Sequence, residues 1–427
     1  MMKILTASDY EKELAQPIRK QQQQEIDAAV ETIIADVQAR KDTAVASYTE
    51  QFDGLKMTNF AVTPEEMAEA IEQVDASLMD ALERAHEQIY TFHEAQLEES
   101  WYLSKRDNSY VGQKLMPLPS VGIYIPGGKA SYPSTVLMNA VPAKIAGVQK
   151  IILTTPAQPN GKVHPDVLVA AKIAGVDQIY KVGGAQAIAA LAYGTETIEK
   201  VVKIVGPGNA YVASAKKQVF GEVAIDMIAG PSEVCIVADA SAEPAYVAAD
   251  LLAQAEHDEM ASAICMTTEA SLINSLQVEI ERQTAQLARQ DIIQQSLETN
   301  GRIVLVSSLA EAFKLVNKLA PEHLQLMIEQ PASQLAQVEH AGAIFLGNYS
   351  PEALGDYYAG PNHTLPTSGT AKFSSPLGVY DFMKKSSVIY YTEEALQEVA
   401  DDIIVIAEHE GLSAHAQSIA IRKERST

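Results

Sequence analysis

From about residue 119 the pattern of apolar and polar positions changes character. Short apolar runs, "SVGIYIPGG", "KIILTTP", "QIYKVGG", "VVKIVGPG" and "EVCIVAD", end in glycine, proline or an acidic residue. Helical stretches such as "NAVPAKIAG", "VLVAAKIAG" and "AQAIAALAYG" lie between them. Short buried strands alternating with helices predict βαβ units and a parallel sheet. A second set follows residue 255: "SAICMTT", a long helix from 270 to about 299, "RIVLVSS", a helix ending near "KLAPEH", "LQLMI" and "GAIFLG". The pattern predicts an α/β fold with two parallel-sheet domains.

The first hundred residues read instead as helices. "TPEEMAEAIEQVDASLMDALERAHEQI" opens with a capping box, Thr63 at the N-cap, Pro64 in the first position and Glu66 in the third. His86 and His93, seven apart, share a face of this helix or its continuation, and a solvated face is the expectation for them. Residues 347–387 are rich in Gly, Pro, Ser and Tyr and predict a long functional loop, its aromatics arguing against disorder. A helical pair closes the chain. The expected division is a helical N-terminal region at 1–112, α/β domains at 113–240 and 241–350, and an active-site loop with a helical tail at 351–427.

Composition narrows the function. A chain of 427 residues, 47% hydrophobic, is long enough for more than one core. The net charge of -23 argues against a nucleic-acid partner. No apolar run is long enough to predict a membrane span, and Asp9, Glu11 and Lys12 interrupt the start where a signal peptide would be apolar. Cys235 and Cys265 fall in apolar runs and predict core packing rather than a disulfide framework. A soluble cytoplasmic setting is the expectation.

Several stretches can carry chemistry, and each has a plainer reading beside it. Gly206-Pro207-Gly208-Asn209 ends a strand and begins a helix, which suits an anion or only a tight turn with an Asn cap. With "GIYIPGG" (122–128) and "VGGAQAI" (182–188) it makes three glycine-rich strand ends, which predict a ligand at the carboxyl edge of one sheet. Ser232 follows a Gly-Pro turn and can bond a substrate or the turn itself. Gln254 and His257 are three apart and converge on one helix face, with Asp250 on the same stripe; alone they read as a polar helix end. Glu322-His323 sets a carboxylate beside an imidazole, a pairing suited to proton transfer or merely to a helix end. Asp356, His363, Glu410 and His415 add carboxylates and imidazoles further on. Gln254, His257, Asp356 and His415 form a nitrogen and oxygen set suited to Zn²⁺ or a neighbouring first-row metal. His164, His340 and His409 have no such company.

Together these pieces are specific. "GPGNAYVASAKKQVFGEVAIDMIAGPSEVCIVAD", "LLAQAEHD", "APEHL", "GDYYAGPNHTLPTSGTAKFSSPLGVYDF" and "EGLSAHAQSIAIR" closely resemble the histidinol dehydrogenase family, in the family's order, from about residue 115 to the end. The resemblance implies two Rossmann-like domains of the aldehyde-dehydrogenase-like superfamily. It implies oxidation of L-histidinol to L-histidine by two NAD⁺ through a bound histidinaldehyde, the last steps of histidine biosynthesis. One Zn²⁺ per subunit would be held by Gln254, His257, Asp356 and His415. Glu322 and His323 would transfer protons, with His323 neutral near pH 7. Ser232, His363 and Glu410 would join the zinc ligands and His323 in contacting substrate, and Tyr124, Gln186 and Asn209 would contact NAD. The family is homodimeric, so Glu410 and His415 would act in the partner's site. A zinc hydrolase on the same scaffold and a dehydrogenase of another amino alcohol are the competing readings.

Overall fold

The computed structural model describes residues 2–15, 21–105, 108–127 and 131–424. A strand, β1 (Lys3–Thr6), and a helix, α1 (Ala7–Leu14), come first. Four helices follow: α2 (Gln21–Arg40), α3 (Asp42–Asp53), α4 (Pro64–Gln73) and α5 (Ala76–Glu94). The capping box is formed, with Thr63 Oγ1 accepting from the Glu66 amide at 3.2 Å and Glu66 Oε2 from the Thr63 amide at 2.8 Å. The helical run stops at Val74, and Asp75 caps its continuation by accepting from the Ser77 amide.

The strands β2 (Trp101–Ser104) and β3 (Tyr110–Pro117) precede the first alternating set. That set is β4 (Ser120–Tyr124), α6 (Pro133–Ala146), β5 (Lys150–Thr154), α7 (Pro165–Ile173), β6 (Gln178–Tyr180), α8 (Gly184–Tyr193), β7 (Lys203–Val205), α9 (Ala210–Val219) and β8 (Ala224–Ile225). The second set is β9 (Glu233–Ala238), α10 (Pro244–Ala255), β10 (Ser262–Thr267), α11 (Ala270–Thr284), α12 (Gln290–Asn300), β11 (Arg302–Leu305), α13 (Leu309–Leu319), β12 (His323–Met327) and β13 (Ala343–Leu346). After it come α14 (Glu352–Tyr357), β14 (Met383–Tyr390), α15 (Glu393–His409) and α16 (Ser413–Glu424).

The chain divides into two compact units, Met1–Gln96 with Leu118–Phe382, and Leu97–Pro117 with Met383–Thr427. The first unit holds both parallel sheets. One has five strands in the order β6-β5-β4-β7-β8, the other six in the order β1-β11-β10-β9-β12-β13. Apart from β1, the two follow one plan. The first strand of each set, β4 or β9, lies between the second and the fourth. The chain therefore reverses its direction of travel across the sheet between β4 and β7, and again between β9 and β12. Such reversal points are where open α/β sheets leave a crevice.

Helices cover the sheets because their apolar faces must be buried. The alanine-rich α8 is buried almost all round, and α2 packs on it through Val30, Ile33, Ile34 and Val37. Cys235 and Cys265 lie fully buried on central strands, as expected.

Four expectations change. β9 was expected before the boundary at 240, in the first α/β domain, but it pairs with β10 and β12 in the second sheet. "EVCIVAD" is equally apolar on both faces, so nothing in it says which sheet it joins. The N-terminal region is helical but begins with β1, a four-residue strand that extends the second sheet beside β11, and it ends in β2 and the start of β3, which pair antiparallel. The helix expected from 270 to 299 breaks between α11 and α12. His93 does not sit on a solvated face: it is fully buried, Nδ1 donating to the Ile89 carbonyl and Nε2 lying 3.4 Å from the Asn362 amide nitrogen.

The second unit contains an antiparallel sheet, β14-β3-β2, and the α15–α16 pair. Trp101, Leu103, Ile389, Val405, Ile406 and Ile421 are exposed there.

Candidate active site

The helix α10 ends at Ala255, so His257 lies one residue past its cap. A bond from the His257 amide to the Gln254 carbonyl, 3.3 Å, continues the chain as a tight turn. That turn has about three residues per revolution, so the expected convergence of the two side chains survives the end of the helix. Gln254 is fully buried, while His257 reaches solvent. The carboxyl end of a helix carries partial negative charge and favours a cation. Glu256 caps α10, and Asp258 accepts from the Met260 amide, so neither joins the pair.

Glu322 and His323 sit where α13 gives way to β12. Ala320 closes α13 in the left-handed conformation, Pro321 prevents the helix from continuing, and β12 begins at His323. Both side chains are buried, at the amino edge of the second sheet. Glu322 Oε2 accepts from the Glu233 amide at 2.9 Å. His323 Nδ1 lies 3.2 Å from the Glu233 carbonyl, which can only accept, so Nδ1 carries the proton. The basic lone pair is then on Nε2, which is buried without a hydrogen-bond partner, 3.5 Å from Asp356 Oδ1.

A residue that the sequence reading did not single out completes this cluster. Glu352 and Asp356 are four apart on α14 and so share a face. Glu352 is almost fully buried, its Oε1 3.9 Å from His323 Nδ1. With its nitrogen turned toward Glu352, the Gln254 amide donates to both carboxylate oxygens at 3.0 and 3.2 Å. The i, i+4 spacing in "PEALGD" was the available signal for Glu352. Asp250, the partner considered for Gln254 and His257, is partly buried on α10; the carboxylate that meets Gln254 is Glu352.

Among the described residues, His257, Glu352 and Asp356 each place one donor atom within 4.8 Å of the others. One imidazole nitrogen, two carboxylates and the adjacent amide fit a divalent cation of the zinc type. The titration of the cluster fits the same charge balance. Burial raises Glu322 to about 7 and Glu352 to about 8. Burial alone would lower His323, but Glu352, Glu322 and Asp356 outweigh it and carry the imidazole up to about 10. Three carboxylates around the ring therefore favour the protonated form of His323 in the protein alone. Burial would raise Asp356, yet His323 and the neighbouring imidazoles hold it down. Burial also lowers His257, favouring the neutral, ligating form.

His363 faces the same region with both nitrogens engaged, Nδ1 with the Asp356 carbonyl at 2.9 Å and Nε2 with Thr135 Oγ1 at 3.1 Å. Ser232 immediately precedes β9, its carbonyl accepting from the Ser262 amide. Glu410 and His415 belong to the second unit, where both are exposed, Glu410 at the C-cap of α15 and His415 near the start of α16.

The three glycine-rich strand ends meet at the carboxyl edge of the first sheet, beside its reversal point. Gly128, in the first of them, lies outside the described residues. Tyr124 ends β4, and its buried hydroxyl accepts from the Gly184 amide at 3.1 Å. Gly206 follows β7 with φ of 108°, and a Cβ there would lie 2.2 Å from the Tyr124 carbonyl oxygen. Only glycine allows that approach. Asn209 caps α9, accepting from the amides of Tyr211 and Val212. Gln186, in the first turn of α8, is buried with Oε1 unpaired. This edge offers two helix N-termini, an orphaned amide oxygen and close-packed glycine backbone, which fit a phosphate-bearing cofactor.

Comparison with known proteins gives the cluster its context. The sequence model of the histidinol dehydrogenase family matches residues 17–423. A histidinol dehydrogenase of Oceanobacillus iheyensis is 58% identical over 400 residues, covering 94% of each chain. One of Bacillus subtilis is 52% identical over 396 residues, covering 93% of each. The crystal structure of histidinol dehydrogenase from Elizabethkingia anophelis superimposes with a TM-score of 0.94 at 38% identity, covering 99% of this chain and 98% of that one. The chain belongs to the histidinol dehydrogenase family.

Proposed function

We propose that the protein oxidises L-histidinol to L-histidine with two NAD⁺ and one water, through an aldehyde that stays bound, as the last two steps of histidine biosynthesis. The observation that carries this reading is the convergence of His257, Glu352 and Asp356 around the buried Glu322–His323 pair in a chain of this family.

In the first oxidation the alcohol loses a proton as hydride leaves its carbon for NAD⁺. His323 Nε2 is the acceptor, its ring held by the Nδ1–H bond to the Glu233 carbonyl. Proton transfer of this kind contributes about 10²–10⁴ in rate. In the second, water adds to the aldehyde and the hydrate gives up hydride to a second NAD⁺. Glu322, raised to about 7, is poised to take the proton of that water near neutral pH. The two cysteines are buried, with thiol pKa values raised by desolvation, which speaks against a thiohemiacetal route.

Gln254, His257 and Asp356, with His415, would hold one Zn²⁺ per subunit. Bound there, the metal would hold the nitrogens of the substrate and offset the carboxylates that keep His323 protonated. Ser232, His363 and Glu410 would contact the substrate. Tyr124, Gln186 and Asn209 would contact NAD. His415 and Glu410, exposed on the second unit, would serve the site of a second copy, and the exposed apolar side chains of that unit support a homodimer. Of the described residues, no helix is long and apolar enough to cross a membrane. The test is the absorbance of NADH on mixing protein, L-histidinol and NAD⁺. Growth should stop on chelation and return with Zn²⁺; an unaffected rate after complete metal removal would reject the metal assignment.

A further inference from the structure

Lys216 and Asp226 form an ion pair with almost no access to solvent, their side chains 3% and 1% exposed. Such a pair is weak evidence for stability, because taking two charges out of water costs about as much as their attraction returns. What the pair touches is more informative. Lys216 Nζ donates to the Gly206 carbonyl at 2.8 Å, and Asp226 Oδ2 accepts from the Gly206 amide at 2.8 Å. The other Asp226 oxygen accepts from the Met227 amide at 2.6 Å. Both polar groups of one glycine are therefore held by one buried pair.

That glycine is the member of the 206–209 turn with a positive φ. Its φ of 108° and its contact with the Tyr124 backbone fix the path from β7 to Asn209 at the start of α9. Lys216 reaches back from α9, and Asp226 lies just past β8, so the elements on either side of β7's turn close on it. Pro207 has no amide to donate, so Gly206 supplies the hydrogen bonds that tie the turn down.

We infer that Lys216 and Asp226 are positioning residues for NAD: they hold the Gly206–Asn209 turn in the shape that receives the cofactor. The inference rests on the reading that places NAD at this edge. It assigns the pair no contact with the reacting atoms and no part in the metal and substrate cluster.

The test removes both charges together with Lys216→Met/Asp226→Leu, because losing one alone strands the other. KM for NAD⁺ and for histidinol, kcat and bound zinc are measured on this variant and on Asn209→Ala. The expected result is a folded enzyme whose KM for NAD⁺ rises about tenfold or more, displacement of a binding backbone by a fraction of an ångström sufficing. Its zinc content, its KM for histidinol and kcat should hold. A KM for NAD⁺ that rises in Asn209→Ala but not in the pair variant overturns the role of the pair alone. Unchanged values in both overturn the placement of NAD and the inference with it. Equal rises in both KM values would show a general structural role and also overturn it. Should the double variant not fold, Asp226→Glu, which keeps both charges but shifts the carboxylate away from the Gly206 amide, decides by the same comparison.

Discussion

Glu352 Oε1 lies 3.9 Å from His323 Nδ1, and the same carboxylate takes the Gln254 amide. One buried residue thus ties the proposed base to a proposed metal ligand. Its place on α14, four residues before Asp356, puts two carboxylates of one short helix over the imidazole.

Glu352→Gln keeps the shape and removes the charge. Residues that orient metal ligands are worth about 10–100-fold in affinity. The variant should lose zinc to a competing chelator in that proportion, since the Gln254 amide then has a neutral partner. Zinc retention equal to wild type would show that Gln254 is oriented without it.

His323→Ala should lower the rate of histidinol oxidation by about 10²–10⁴ while histidinol still binds. Single-turnover NADH formation and histidinol titration measure the two separately. Unchanged turnover would remove His323 as the base.

Gly206→Ala places a Cβ 2.2 Å from the Tyr124 carbonyl oxygen at a φ of 108°. Strain of this kind costs on the order of 1–3 kcal/mol before the clash is counted. The melting temperature should fall and KM for NAD⁺ should rise. A variant with wild-type values of both would mean that the turn relaxes freely.

Asp250 gives a pH prediction. Burial raises its carboxyl to about 6. The folded chain holds this proton more tightly than the unfolded chain, whose value is near 4. The stabilising contribution is therefore full below about 4 and lost as pH rises through about 6. Asp250→Asn, which resembles the protonated acid, should stabilise the protein at about pH 8 by on the order of 1 kcal/mol, the partial exposure having been discounted. Near pH 4 the difference should vanish. Thermal melts at both pH values check this, and an equal gain at both would show that charge is not the cause.

The alternating apolar runs made both sheets and most helices legible, because a buried parallel strand has few sequence alternatives. The glycine-rich strand ends of the first sheet were readable for a related reason: Gly206 performs a backbone task that only glycine can. What the runs could not carry was sheet membership. β9 reads alike in either sheet, and β1 is too short to stand out beside α1. In the cluster, Gln254, His257, Glu322, His323 and Asp356 were nameable from motifs. Glu352 was not named, because its i, i+4 spacing from Asp356 lies in a stretch that reads as a loop and has no face until α14 forms. The pull of three carboxylates on His323 was likewise hidden, since only folding brings them together.

The proposed function has one site perform both oxidations on a substrate it does not release. It is tested most directly by counting NADH formed per histidinol consumed, with an aldehyde-trapping amine present. Two NADH, histidine as product and no trapped aldehyde are expected. One NADH with the aldehyde recovered in the trap would contradict it.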